Sequence, residues 1–556
     1  MGVKFFYKWL QTNFEQYVKY IKKDVNINSG IFKVEDNHRI DHFLIDMNGL
    51  IHASAQKIYQ YGDCKKNRPL LGAPKKNIDR DNLVFKDLSQ SIESLVKTVN
   101  PQKQLVLCVD GSAPLGKQNQ QRQRRFRAAL EITEDSPFNS SSITPGTIFM
   151  EKLTLFLEQY IEMKIKNEWK ELRVVFSGSN VPGEGEAKCL EYIRKYIDRK
   201  DSYCVYANDA DLIMLTMLTH LKRIYVIRDS LYDNRYLYHL LDIQKISEEL
   251  LKNLEFTPEE GVKPFNKVRA IDDFIFLCFL VGNDFLPNIP SMEIIESGIE
   301  ILFGLYKTVG KSYGHILFKG KNGLVIRKKP LQQILDGFGK YEREILERKN
   351  AKGNFYFEDT NLSKSIIKSN GKRILDMKKY KTLYYSNKLG ISHQDFEMMI
   401  PKICIDYIKG MQWTISYYSR GIPDWHWFYN YNYAPFASDI AEYMSNYTLP
   451  EFEKGEPIPP LLQLSIVLPP KSYSLLPDIF RDNKKIHEYC PEEFNIDLSG
   501  KRREWEGIPV LPCIDIEKYI ENYTEKLGKL SISELERNKF GKSFIYENGE
   551  KNEINI

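Results

Sequence analysis

Five short apolar runs recur through the first 230 residues; two of them run directly into an aspartate and a third reaches one after a single asparagine. His42-Phe43-Leu44-Ile45 leads to Asp46, Gln104-Leu105-Val106-Leu107-Cys108-Val109 leads to Asp110, and Ser202-Tyr203-Cys204-Val205-Tyr206-Ala207 leads to Asn208-Asp209-Ala210-Asp211-Leu212. The other two are Leu172-Arg173-Val174-Val175-Phe176, closed by Ser177-Gly178, and Arg223-Ile224-Tyr225-Val226-Ile227. Their β-branched and aromatic bias is that of buried strands. Stretches with helical period separate them at 84–98, 147–165 and 186–197. Strand–helix alternation of this kind folds as an α/β parallel sheet with helices on both faces.

An open α/β sheet binds its ligands at the carboxyl ends of its strands. Asp46, Asp110, Asp209 and Asp211 all fall on that edge. The loop Val181-Pro182-Gly183-Glu184-Gly185-Glu186 opens the helix after the third strand and brings two more acids. Asp284, in Gly282-Asn283-Asp284-Phe285-Leu286-Pro287 after the apolar helix 271–280, is placed to reach the same edge. An Asp-rich turn alone also caps helices. Seven converging acids need more than that, because two unit charges about 4 Å apart repel by about 4 kcal/mol at an effective dielectric of about 20. Oxygen-only donors suit Mg²⁺. Two such ions would offset the repulsion, activate a water and stabilise the leaving oxygen in phosphodiester hydrolysis; Mn²⁺ is the expected substitute.

Immediately after Asp110 the chain turns basic, from Lys117 through Gln121 to Arg122-Gln123-Arg124-Arg125-Phe126-Arg127. Lys117, Gln121, Arg124 and Arg125 stand at i, i+4, i+7 and i+8, one helical face. Basic helix faces are commonly just solvated. This one begins beside a strand-end acid, which suits a terminal phosphate gripped by guanidinium pairs. Gly116 at its head predicts a helix that starts one turn late.

The rest of the chain sets bounds. A net charge of +5 over 556 residues is too mild for binding nucleic acid by bulk electrostatics, so any basic site is local. Eight cysteines (Cys64, Cys108, Cys189, Cys204, Cys278, Cys404, Cys490 and Cys513) are widely spaced without a CxxC pair, which reads as free thiols in a reducing compartment. No signal peptide, myristoylation pattern or membrane-spanning run is legible, so an intracellular protein is expected. The period of Phe6, Leu10, Phe14 and Tyr17 predicts a helix over 5–20. Composition divides the chain into a core at 1–340, a charged, irregular connector at 341–394 with breakers near 350–353 and 369–371, a second region at 395–525 and a loosely attached polar tail at 526–556.

Taken together, these motifs resemble the XRN family of 5′→3′ exoribonucleases. The resemblance rests on Leu44-Ile45-Asp46-Met47-Asn48-Gly49-Leu50-Ile51-His52, Val109-Asp110-Gly111, Asn119-Gln120-Gln121-Arg122, Arg124-Arg125-Phe126-Arg127, Ile143-Thr144-Pro145-Gly146-Thr147, the stretches 181–186 and 208–212, and 272–287. It resumes at Tyr417-Tyr418, Arg420-Gly421, 425–435, Val467-Leu468-Pro469-Pro470 and Gly500-Lys501-Arg502 through Trp505-Glu506-Gly507. It extends to about residue 525, as in a member without the large C-terminal extensions. The resemblance implies a PIN/flap-nuclease-like core, with a mixed α/β second region packed against it and closing the active site. It also implies processive release of mononucleotides from single-stranded RNA bearing a 5′ monophosphate.

In that reading Asp46, Asp110, Glu184, Glu186, Asp209, Asp211 and Asp284 are catalytic metal ligands. Lys117, Gln121, Arg124 and Arg125 bind the 5′ phosphate, and His52 with Trp425 or Trp427 stacks on bases. A monomer is expected, with no membrane partner, and the missing zinc-knuckle spacing favours the cytoplasmic over the nuclear branch. Two other readings stand beside it: a flap-endonuclease-like 5′ DNA nuclease, and a catalytically degenerate member that only binds RNA. The first lacks its glycine-rich segment here, since Leu286-Pro287-Asn288-Ile289-Pro290 follows Asp284. The second would be expected to have lost acids, and all seven are present.

Overall fold

A computed structural model describes residues 3–22, 39–62, 64, 79–131, 136–196, 198–230, 236–321, 323–352, 357–369, 372–481 and 488–556. The chain forms two compact units whose segments interleave. One contains residues 16–246, 455–492 and 514–556; the other contains 1–15, 247–454 and 493–513. This division replaces the successive blocks expected from composition. No helix among the described residues is long and apolar enough to cross a membrane.

The first unit is built on a nine-stranded sheet. Its strands are β1 (Val18–Lys22), β2 (His42–Asp46), β3 (Gln104–Cys108), β4 (Arg173–Ser177), β5 (Tyr203–Tyr206), β6 (Ile224–Asp229), β7 (Tyr236–Asp242), β8 (Ser543–Glu547) and β9 (Glu550–Ile554). The order is β1-β7-β6-β5-β2-β3-β4-β8-β9. The five runs read from the sequence form its parallel centre, β6-β5-β2-β3-β4. The sheet as a whole is mixed, because β7 and β1 add antiparallel on one side and β8 and β9 on the other.

Helices flank the sheet. They are α1 (Asn48–Tyr59), α2 (Arg80–Val99), α3 (Leu115–Ala129), α4 (Ile148–Ile165), α5 (Gly185–Tyr196), α6 (Asp211–Met217) and α7 (Pro460–Val467). Phe43, Ile45, Leu105, Leu107, Val174 and Phe176 point to one face, where they join α2 through Val84, Leu88 and Ile92 and α4 through Leu153, Leu157 and Ile161. Alternate strand residues face the other way, as the pleat requires. There α5 packs on β2 and β3. Side chains cap α2 and α4: Asp79 accepts from the Asn82 amide and Thr147 from the Met150 amide.

Three expectations fail in this frame. The N-terminal helix stops at Asn13, and Val18–Lys22 is a strand, because β-branched Val18 and Ile21 complete the exposed edge of β7. Residues 526–556 are no loose tail: β8 pairs with β4 through Phe544–Phe176, Ile545–Val175 and Tyr546–Val174, and Tyr546 is fully buried. Residues 341–394 fold as helices Glu342–Ala351, Thr360–Lys364 and Met377–Leu389 with a hairpin of Ile366–Ser369 and Lys372–Leu375. Leu346, Tyr380, Tyr384 and Tyr385 are buried, and so are the charged Glu342 and Lys349. Of the two breaker stretches, Gly353, Asn370 and Gly371 lie outside the described residues.

The second unit is mostly helical and carries three two-stranded hairpins. Its longest helix, Phe396–Arg420, ends where Gly421 adopts φ 96°. The apolar stretch at 271–280 is helix Lys267–Cys278 followed by a 3₁₀ turn. All eight cysteines are free: six are buried, Cys64 is half-buried and Cys513 is exposed.

Candidate active site

Chain order reverses between β2 and β5. From β2 the sheet runs one way to β3 and β4, and then returns on the other side to β5 and β6. A crevice outside the strand ends at such a switch point is where open α/β sheets bind ligands. Asp46 ends β2, Asp110 follows β3 by two residues, and Asp209 and Asp211 follow β5. Asp211 is buried as the first residue of α6, while Asp209 is exposed.

Glu184 and Glu186 arrive through two glycines. A Cβ on Gly111 would lie 1.7 Å from the Val181 carbonyl oxygen, so only glycine lets the 181–186 loop close on the end of β3. A Cβ on Gly185 would lie 2.4 Å from Asp46 Oδ1. Without one, the α5 N-terminus reaches the acids, and the Gly185 amide donates to Asp110 Oδ1 at 2.6 Å. Beneath this edge the buried Lys188 donates to the carbonyls of Val109 (2.7 Å) and Gly178 (2.9 Å), tying the ends of β3 and β4. Burial pushes its ammonium down to about 8.

The carboxylates feel one another. Burial, then the charges of Asp110, Asp209 and Glu184, hold the Asp46 carboxyl well above its ordinary range. Burial likewise raises Glu186, with Glu184, Asp211 and Asp209 adding to it and Lys117 opposing. One cation is already present, since Lys117 Nζ lies 2.5 Å from Glu184 Oε1 and 3.8 Å from Glu186 Oε1. The donor set, oxygen-only and short of positive charge, fits a hard divalent ion in its chemistry. Among the described residues, however, no group of three is already arranged to hold one.

The basic helix α3 starts at Leu115, not a turn late. Gly116 sits in the first turn, and the amides of Lys117 and Gln118 donate to the Pro114 carbonyl. Its predicted face divides. Lys117 turns to the glutamates, and Gln121 Oε1 accepts a long 3.4 Å bond from Gln463 Nε2 of α7. Arg124 and Arg125 instead neighbour His52 of α1, whose imidazole is pushed down to about 3 by desolvation first and then by their charges. Burial, with Arg124 beside it, lowers the Arg125 guanidinium to about 9. Arg125 Nη1 is enclosed and has no hydrogen-bond partner.

Asp284, Trp425 and Trp427 belong to the other unit. Asp284 is 7% exposed, in a turn where Asn283 Oδ1 accepts from the amides of Phe285 and Leu286. Trp425 is only 6% exposed, and Trp427 stacks on Trp413 with centroids 5.2 Å apart. The sequence reading passed over Asn48, whose Nδ2 donates to Asp110 Oδ2 at 2.5 Å while its Oδ1 accepts from the Asp110 amide at 3.0 Å. It also missed Gln463, whose Oε1 accepts from the Ala113 amide at 2.8 Å from 350 residues away. An amide two residues after a strand-end acid was a signal for Asn48. Gln463 had none.

Comparison with known proteins meets this geometry. The family model described as XRN 5′-3′ exonuclease N-terminus matches residues 1–230, and that described as Xrn1 helical domain matches 264–373 and 372–555. The chain belongs to the XRN 5′-3′ exonuclease family. The 5′-3′ exoribonuclease 1 of Homo sapiens is 29% identical across 97% of this chain and 35% of its own length. That of Saccharomyces cerevisiae is 29% identical across 83% and 41%. The 5′-3′ exoribonuclease 2 homolog of Drosophila melanogaster is 29% identical across 98% and 73%. The chain thus spans between about a third and a half of the exoribonuclease 1 relatives it matches. A solved structure entitled the catalytic core of Rad2 in complex with DNA substrate covers 72% of this chain at 14% identity, with a TM-score of 0.31, a likeness too slight to carry an argument.

Proposed function

We propose that this protein is a divalent-metal-dependent 5′→3′ exoribonuclease that processively degrades single-stranded RNA from a 5′ monophosphate to mononucleotides. The carrying observation is the enclosed, unpartnered Arg125 Nη1 beside Arg124 and His52, on the same helix that sends Lys117 to Glu184. One helix thereby links a receptor for a terminal phosphate to a carboxylate cluster at the sheet's switch point. From Lys117 to Arg124 the helix rises about 10 Å.

Asp46, Asp110, Glu184, Glu186, Asp209 and Asp211 would hold Mg²⁺, and Asp284 keeps its ligand role from the family resemblance alone. Bound there, the ions supply charge neutralisation, a more acidic water and stabilisation of the leaving oxygen. The chain's own residues do the rest. Asn48 and the Gly185 amide fix both oxygens of Asp110. Arg124 and Arg125 bind the 5′ phosphate through charge-assisted hydrogen bonds. Neutral His52 offers a ring against which a base can stack irrespective of sequence. The family's expected monomeric state, cytoplasmic location and RNA partner belong to the same proposal.

The test is digestion of 5′-monophosphorylated, 5′-hydroxyl and branched DNA substrates with Mg²⁺ or EDTA, with products resolved by size. Mononucleotides released from monophosphorylated RNA alone, and only with metal, are expected. Endonucleolytic DNA products, or no turnover on any substrate, would sink it.

A further inference from the structure

Gly500 and Lys501 of the motif Gly500-Lys501-Arg502 play no part in the proposed chemistry, yet they line a cavity of about 380 Å³ inside the second unit. That volume lies within the usual range of small-ligand pockets. Nearly every enclosed charge on its wall is answered. Lys349 pairs with Glu293, and Lys388 and the Tyr433 hydroxyl both engage Asp497. Asp359 accepts from Tyr380 and from the amides of Asn361 and Leu362. Glu358 is exposed at the rim.

Lys501 is the exception. Its ammonium has no hydrogen-bond or ion-pair partner among the described residues. Both acids in its field are taken: Glu293 by Lys349, and Glu506 Oε2 by the amides of Arg502 and Arg503. Burial, with the charges of Lys4 and Lys349, pushes it down to about 8. Lys501 is half-buried on the cavity wall. A charge partly withdrawn from water without a partner carries a desolvation cost, and an anion in the cavity would offset it.

An aromatic residue of the same wall is tied to it through the backbone. The Phe357 amide donates to the Lys501 carbonyl at 2.8 Å, and the Gly500 amide donates back to the Phe357 carbonyl at 2.9 Å. Gly500 makes the return possible with φ +68°. Phe357 lines the same cavity and is 37% exposed, so part of its surface is open to a ligand.

We propose that this cavity binds a 5′-mononucleotide, with the phosphate on Lys501 and the base against Phe357. The proposed nuclease activity would release such ligands, and only the ligand's source rests on that reading.

The experiment is calorimetric titration of AMP into the full chain in EDTA without RNA, so that neither metal nor hydrolysis enters. All proteins carry Arg125→Ala to silence the basic helix as a second phosphate receptor. AMP should saturate one site there. Adding Lys501→Gln should weaken binding by about tenfold or more, Lys501→Arg should largely restore it, and Phe357→Ala should weaken it severalfold. Inorganic phosphate should bind more weakly than AMP, and a 5′-hydroxyl RNA hexamer should compete poorly. Loss of the site with Arg125→Ala alone, no saturable binding in the millimolar range, or AMP binding indifferent to both Lys501→Gln and Phe357→Ala would overturn the proposal. So would a hexamer that competes as well as AMP, which would make the cavity part of an RNA path. Should Lys501→Gln fail to fold, Phe357→Ala decides the matter. Inactivity towards RNA would defeat the nuclease reading and leave this one standing.

Discussion

Lys117 Nζ sits 2.5 Å from Glu184 Oε1, so a lysine of the basic helix serves as counter-ion within the acidic cluster. Breaking a buried pair from one side costs about 3–5 kcal/mol, because the remaining charge is left uncompensated. Lys117→Met should therefore lower the melting temperature in EDTA, and Mg²⁺ should recover more of it in the variant than in wild type. Equal metal responses would mean that lysine and metal do not share Glu184.

Asn48 spends its whole side chain on Asp110, donating to the carboxylate and accepting from the amide. Each such bond contributes roughly 0.5–1.5 kcal/mol. Asn48→Ala should cut kcat by about tenfold or more with little change in KM, and Asn48→Asp should cut it further by setting a second carboxylate against the first. A KM effect at constant kcat would exclude this positioning role.

Asp209 and Asp211 add to the field that raises Glu186. Asp209→Asn or Asp211→Asn should abolish hydrolysis while raising, or leaving unchanged, the melting temperature in EDTA, since one repulsive charge has gone. Turnover close to wild type in either variant would remove that residue from the metal site.

Arg124→Ala and Arg125→Ala should each slow degradation of 5′-monophosphorylated RNA by about ten- to a hundredfold, the worth of one charge-assisted hydrogen bond. Rates on 5′-hydroxyl RNA should hardly move. Equal impairment on both substrates would make the arginines structural.

His52 is held at about 3 in the folded protein against 6.5 when unperturbed. Between those values the unfolded chain binds the extra proton, so this contribution to stability is present above about pH 6.5 and declines as pH falls. His52→Gln should therefore show a shallower loss of melting temperature from neutral pH down to about pH 5 than wild type does. Parallel curves would place the imidazole outside the arginine field. In a single-turnover trap assay, His52→Ala should also shorten the run per binding event.

Much of the site was legible because its signals are local. An apolar run ending in an acid, repeated, reports strand ends on one edge of a parallel sheet, and the two-residue spacing of Asp209 and Asp211 puts both beyond β5. The i, i+4, i+7, i+8 basic spacing likewise found α3. It could not tell that Lys117 would turn to Glu184 while Arg124 and Arg125 gathered at His52, because a shared face does not say what each part of it meets.

The sequence by itself determined the parallel centre of the sheet, the acids at its edge and the membership of the basic helix, since each follows from backbone period and side-chain type within a few residues. Tertiary structure alone decided the rest. β4 would be an open edge of unpaired amides and carbonyls without β8, which arrives from the far end of the chain to place Phe544 opposite Phe176 and the Ser543 hydroxyl 2.9 Å from that of Ser177. Gln463 reaches Ala113, and Phe357 exchanges backbone hydrogen bonds with Lys501 and Gly500, for the same reason. Such contacts are selected by which polar groups are left unsatisfied after the local elements form, and that inventory exists only in three dimensions.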